Sequence, residues 1–504
     1  MARCNGESNI LSVILGSFCW LILISLLLLP ITLLFIFKCC VIGVAYIVHD
    51  NLYSISTTDA AFAIGCSWKK SKLSVGLLLQ VQGQVELAQV QNKFYTSLLQ
   101  QKVGNKPKYE KLYSCLVTFG GYVFRKLLPM DSLQLDKHIY VRNLKGGESL
   151  DHVIQEWMEQ SYAEYAPAWE VMMVPFVPET GDKSRVYQTA VCFKIHHVFA
   201  DGYSLLHILD TLTDHRSGSP YLVKDPNESW SKRILDVLSL PVNLRYLGGD
   251  ASPKYNPIKI PAPQQYWRYT FTGVDVELVK SIRKKYEVHF ASVMLTLTAG
   301  SIRQFILETH SEKQLPNILA IADTLPLWPQ HPALQHHLCN HWTLGVIKTP
   351  AVGDDALTRL LETEKYFLQF HQAGLQKVAT NYLFPLAWLL PAVVSEKALE
   401  TDKFGFNLGL TSLVGGTDYK FLGNNVDHIY PLLTLVDSHP YTAFSWFTFS
   451  HSGKLDITLA AAPCLFPGET SMSRMTSQYF QTELEKLCEQ CGISYTTENT
   501  CVGS

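Results

Sequence analysis

Apolar positions in this chain fall into three kinds of run, and the first is continuous. From Ile10 to Phe37 there is no charged residue and almost no polar one. A bilayer core asks for about 20 helical residues, whereas the apolar region of a cleaved signal is only about 7–15 residues long. The run therefore predicts a retained membrane helix, with residues 1–48 as the anchor. Pro30 interrupts it, and a second apolar stretch, Cys39 to Ile47, follows Lys38. Two readings stand open. One is a single span with an interfacial extension; the other is a hairpin turning at Pro30, which would leave Lys38 inside the lipid. The single span is the simpler. Lys38, Lys69, Lys70 and Lys72 outnumber the charges before the run, which favours a cytosolic body.

The second and third kinds alternate along the rest of the chain. "VYQTAVCFKIHH" has the alternation and β-branched content of a strand, and Leu205, Leu206, Ile208, Leu209 and Leu212 then recur at helical spacing. Similar strand and helix patterns fill residues 49–246. A stretch rich in Pro, Gly and Asn, 247–266, reads as a crossover linker. The pattern resumes over 267–490. "YWRYTFTGV" predicts a strand, "VDVELVKSIRKKY" an amphipathic helix, and "ASVMLTLTAGSIRQFILE" a buried one. Residues 441–460 read as a hairpin around Ser452-Gly453, and "NYLFPLAWLLPAVV" (381–394) as a core or interfacial helix too short to span. Residues 491–504 form a tail. The whole predicts a mixed α/β fold in two stacked halves.

Composition then narrows the function. The chain has 504 residues, a net charge of −2 and only 17% charged residues. Without a basic tract, nucleic acid is set aside as a partner. The twelve cysteines lack framework spacing and read as free thiols in a reducing compartment. Cys39-Cys40 stands at the membrane edge, where palmitoylation is open. The lone CxxC, Cys488 to Cys491, lacks partners for zinc, and the His-rich 331–341 lacks a carboxylate, so no metal is expected. The sequon at Asn227 would be silent in the cytosol.

One stretch carries chemistry. "IHHVFADG" places His196, His197, Asp201 and Gly202 between the predicted strand and helix. By composition, the full HHxxxDG is expected roughly a thousandth of a time in such a chain. A histidine titrates near neutrality and can take a proton from an attacking hydroxyl. Asp201 would cap the helix and pin the turn. A packed turn with no catalytic role is the alternative.

The same stretch resembles the HHxxxDG motif of the wax ester synthase/diacylglycerol acyltransferase family, within the chloramphenicol acetyltransferase-like superfamily. "ISTTDAAF" (Ser56, Asp59), "DSLQLDKHIYVRNL" (131–144), "APAWEVMMV" (Pro167, Trp169, Glu170), "CNHWTLGVIKTP" (Asn340, Pro350) and "LTSLVGGTDYKFLGNNVDHIYPL" (410–432) resemble further family stretches in the family's order. The second-half "ND" is replaced by Ala291-Ser292, and "NVPGP" survives only near Ser412 and Val414.

The resemblance implies two acetyltransferase-like halves with mixed sheets and a tunnel between them. It implies an O-acyltransferase with His197 as base, Asp201 as support held by a basic residue, and His196 and Gly202 shaping the turn. Thr411 and Ser412 are candidates for the oxyanion, and Asn340 and Trp169 for substrate binding. No cofactor is implied beyond acyl-CoA as co-substrate. The acceptor would be a fatty alcohol or diacylglycerol, at a membrane such as the endoplasmic reticulum. Another hydroxyl acceptor, or a silent lipid-binding relative, stays open.

Overall fold

The computed structural model describes residues 10–63, 72–177, 187–214, 258–309, 315–326, 338–372, 384–399, 408–434, 441–466 and 469–495. The sequon, the linker up to 257, the bulk of the His-rich stretch and the end of the tail lie outside them.

The N-terminal run is one helix, α1 (Ile10–Val48), continuous through Pro30, so the hairpin is not formed. Proline removes a single helical N–H, a loss that apolar helices tolerate. At about 1.5 Å per residue α1 is some 58 Å long, well beyond the ~30 Å of a hydrocarbon core. Its N-terminal part up to Phe37 exposes large apolar side chains such as Leu26, Leu29 and Leu33. Its C-terminal part docks on the body, where Val41 and Ala45 pack with Leu52, Tyr122 and Phe124. Lys38 is buried: its ammonium lies 3.8 Å from the Trp388 ring centroid and 4.6 Å from that of Tyr122, and donates to the Trp388 carbonyl.

In chain order, the elements that frame the site begin with α2 (Thr57–Ala60), β1 (Ser74–Gln82), β2 (Ile139–Val141), β3 (Trp169–Phe176), β4 (Gln188–His196) and α3 (Gly202–Leu212). Next come β5 (Arg268–Asp275), α4 (Val276–Tyr286), α5 (Phe290–Thr309), β6 (Ile318–Pro326), β7 (Trp342–Pro350) and α6 (Ala356–Gln372). The last are α7 (Phe384–Leu389), α8 (Ala392–Leu399), β8 (Leu408–Val414), β9 (Lys420–Phe421), β10 (Asn424–Thr434), β11 (Phe444–His451), β12 (Lys454–Ala461) and α9 (Gln481–Gln490).

Two mixed sheets carry the fold, one in order β9-β10-β1-β4-β3-β2 and the other β5-β12-β11-β8-β6-β7. The predicted strand, helix, buried helix and hairpin of 266–286, 291–308 and 441–460 are all present as β5, α4, α5 and β11–β12. One feature crosses the expected boundary: β10, from the second half, pairs antiparallel with β1 across Val426–Thr434. The halves therefore share backbone hydrogen bonds. The second apolar run is two short helices, α7 and α8, which part at Pro391 because proline ends a helix before it. Their Leu386 and Val394 are exposed.

Candidate active site

β4 enters the core with every residue from Thr189 to His196 buried, and its ladder to β1 ends at the pair Ser74–His196. The chain then turns, and Asp201 caps α3: its extended backbone precedes the helix and its Oδ1 accepts from the Ser204 N–H at 2.8 Å. Its Oδ2 accepts from the His341 N–H, also at 2.8 Å. The Asp201 N–H donates to the Cys339 carbonyl at 3.2 Å, and the Ser204 hydroxyl donates to the same carbonyl at 2.8 Å. One carboxylate thus ties the motif of the first half to segment 339–341 of the second. Asp201 accepts from backbone amides on both sides of this junction, and Lys111 pairs with Asp59.

His197 sits in this junction, 3% exposed. Its ring stacks on Phe62, with centroids 4.1 Å apart and planes 6° from parallel, and Trp342 flanks both rings. Nδ1 lies 3.0 Å from Asn340 Oδ1. Asn340 Nδ2 lies 2.9 Å from Asp59 Oδ1, and Asp59 Oδ2 pairs with Lys111 at 2.8 Å. Burial pushes the His197 pKa down, against the pull of its own carbonyl, the Asp201 charge, Asn340 and the Ala200 carbonyl. The ring is neutral at neutral pH.

His196 behaves differently. Burial, and to a lesser extent the neighbouring His197, takes its pKa down to about 3. Its Nδ1 accepts the Val198 N–H at 3.2 Å, and its ring lies near Tyr162 and Phe199. Its ring is packed inside the turn. Gly202 is also explained by geometry: a Cβ there would lie 3.0 Å from both methyls of Leu413 on β8, so the glycine admits the second half's strand to the motif.

The other expected site residues divide. Thr411 and Ser412 are half-buried on that same strand; the Thr411 hydroxyl is 2.8 Å from Thr324 Oγ1, and Ser412 accepts from Thr448 at 3.1 Å. Asn340 reaches the site, but onto His197. Trp169 corrects the expectation of a substrate contact. It is 1% exposed, its indole N–H donates to the Leu112 carbonyl at 2.7 Å, and its ring stacks on Phe94 and His138. It is a packing residue. Sequence reasoning noticed Asp59 only as a motif match, passed over Phe62 and Trp342 inside the quoted stretches 55–62 and 339–350, and missed Lys111, which has no local signal.

It also missed Asp323 on β6. This carboxyl is 2% exposed with Oδ2 unbonded among the described residues, and burial pushes its pKa up to about 7 against the Thr324 amide. Its charge is felt at Tyr203, beside the motif.

The second half matches the family model of the WS/DGAT C-terminal domain over residues 339–487. The WS/DGAT match begins at the segment that closes on Asp201 and His197, and it supports acyltransferase chemistry. The chain shares its fold with the wax ester synthase/diacylglycerol acyltransferase from Marinobacter aquaeolei VT8. The two are 16% identical, with a TM-score of 0.55, over 88% of this chain and 100% of that one. The first condensation domain of the CDA synthetase has the same fold, at 13% identity and a TM-score of 0.53, over 89% of this chain and 98% of that one. So does the starter condensation domain of rhizomide synthetase, in a structure with C8-CoA, at 11% identity and 0.52, over 88% and 97%. No curated protein matches the chain in sequence. The two-half α/β architecture expected from the motifs is the one these structures share.

Proposed function

We propose that this chain is a membrane-anchored O-acyltransferase that moves a long-chain acyl group from acyl-CoA to a fatty alcohol or diacylglycerol. The observation that carries the reading is His197, buried at the junction of the two halves with Nδ1 on Asn340, where burial lowers its pKa. A neutral imidazole takes the proton of the acceptor hydroxyl as its oxygen attacks the thioester carbonyl. The tetrahedral intermediate collapses, the C–S bond breaks, and the imidazolium returns its proton to the leaving thiolate of CoA. Asp201 acts as the clasp that holds the turn. Thr411 and Ser412, on the strand packed against Gly202, are the hydroxyls proposed for the oxyanion.

The lipid part of the reading rests on α1. Lys38, Tyr122 and Trp388 join it to the body, and the Trp388 indole N–H donates to the Ile55 carbonyl at 3.1 Å, immediately before α2. Substrates dissolved in the membrane would thus meet the body beside the helix that carries Asp59. The anchor is proposed to lie in the endoplasmic reticulum with the body on the cytosolic side. The test incubates membranes bearing the full chain with labelled oleoyl-CoA and either hexadecanol or dioleoylglycerol. Ester formation with one of them supports the reading. Ester formation only with a short or sterol alcohol transfers it to another acceptor, and no ester with any acceptor refutes it. Protease protection of the body would refute the cytosolic side.

A further inference from the structure

We infer that Asn340 is a positioning residue that fixes the tautomer of His197, leaving Nε2 as the basic nitrogen; this deepens the reading of His197 as the base and rests on it. The orientation of the Asn340 amide follows from its neighbours. Nδ2 lies 2.9 Å from Asp59 Oδ1, 2.7 Å from the His197 carbonyl and 3.3 Å from the Val198 carbonyl. All three are acceptors. Reversing the amide would set its oxygen against a carboxylate and two carbonyls with no hydrogen between them. The oxygen therefore faces Nδ1 of His197, at 3.0 Å.

An amide oxygen only accepts, and a neutral imidazole carries one N–H and one lone pair. The His197 and Ala200 carbonyls also pull on the ring, and the Asn340 oxygen is the acceptor placed at Nδ1, so Nδ1 holds the proton and the lone pair is on Nε2. Phe62, stacked on the ring, keeps its plane in place. The amide is itself held from behind: Asp59 Oδ1 also accepts the Asn340 backbone N–H at 3.1 Å, and its other oxygen is paired with Lys111. Lys111, Asp59, Asn340 and His197 form one relay across the two halves. An amide at Nδ1 orients the ring without adding the full negative charge that would hold a proton on it. The charged or titratable groups around the ring are Asp201, His196 and, behind the amide, Asp59 and Lys111.

The direct test is on the wild-type full chain in detergent. Nitrogen-15 histidine labelling, with H197Q to assign the signals, shows which ring nitrogen is protonated in the neutral form. A proton on Nδ1 is expected; a proton on Nε2 overturns the inference. Two variants add kinetic readouts. N340L is expected to lower kcat roughly a hundredfold, within the range of a general base's contribution, with little change in KM. A raised KM at unchanged kcat would instead make Asn340 a substrate-binding residue. N340D sets an oxygen against the Asp59 carboxylate and the two carbonyls, so the new acid keeps a proton there and still offers an acceptor to Nδ1; it is expected to retain kcat better than N340L, and an N340D no more active than N340L counts against the inference. H197A separates the two levels. Acyl transfer that survives H197A removes the base reading itself, whereas an inactive H197A beside a protonated Nε2 removes only the tautomer inference.

Discussion

Asp201 offers a sharp division between supporting a turn and taking part in chemistry. Its two oxygens accept the N–H groups of Ser204 and His341, each at 2.8 Å, and the side chain is buried. In Asp201→Asn the remaining oxygen still caps α3, because asparagine is as good a cap as aspartate. The new NH₂ then faces the His341 N–H, donor against donor. The loss is one charge-assisted hydrogen bond, about 2 kcal/mol. In Asp201→Ala the cap goes too, for a total of about 3 to 4 kcal/mol. At about 2–4 °C per kcal/mol for domains of 150–250 residues, the asparagine variant should unfold roughly 4–8 °C lower, and the alanine variant lower still. The assay is tryptophan-monitored thermal unfolding, paired with acyl transfer well below either midpoint. Asp201→Asn should keep kcat within about tenfold of wild type, since the base remains. A variant with an unmoved midpoint and abolished activity would refute the reasoning and place Asp201 in the chemistry.

Three further outcomes follow from the same geometry. Burial lowers the His197 pKa, so the base stays deprotonated below the ordinary imidazole value, and the acidic limb of kcat/KM should lie below about pH 6.5; a limb above it would contradict the buried setting. Asp323 is held near pH 7, above its unfolded value. An acid raised in the folded state costs stability as pH rises past the unfolded pKa and through the folded one, so Asp323→Asn should stabilise more at pH 8 than at pH 5, as differential thermal unfolding would show. Arg359 on α6 and Glu483 on α9 form a buried pair, 3% and 1% exposed. Arg359→Met should cost about 3–5 kcal/mol by stranding the carboxylate, and adding Glu483→Met should recover most of it in denaturant unfolding.

The motif turn was legible because its physics is local. The alternation of β4, the cap at Asp201 and the helical spacing of α3 all lie within one short stretch. The apolar N-terminal helix was legible for the same reason, although only the structure shows Lys38 housed between Trp388 and Tyr122. What the sequence left dark is non-local. Lys111, Asp59 and Asn340 come from three distant segments, and no spacing rule brings them to His197. Most of β10 lies in the quoted stretch 410–432, but nothing in its pattern says that it pairs with β1 in the other half. Trp169 misled because a tryptophan bonded through its indole inside a core and one lining a binding site look alike in sequence.

The central claim is that His197 takes the proton of the acceptor hydroxyl. Its most direct test is the rate of labelled acyl transfer from oleoyl-CoA by wild type and His197→Gln, at matched expression and fold. The account predicts a fall of about a hundredfold or more in kcat with glutamine at this position. A glutamine variant that transfers acyl groups at the wild-type rate would contradict it.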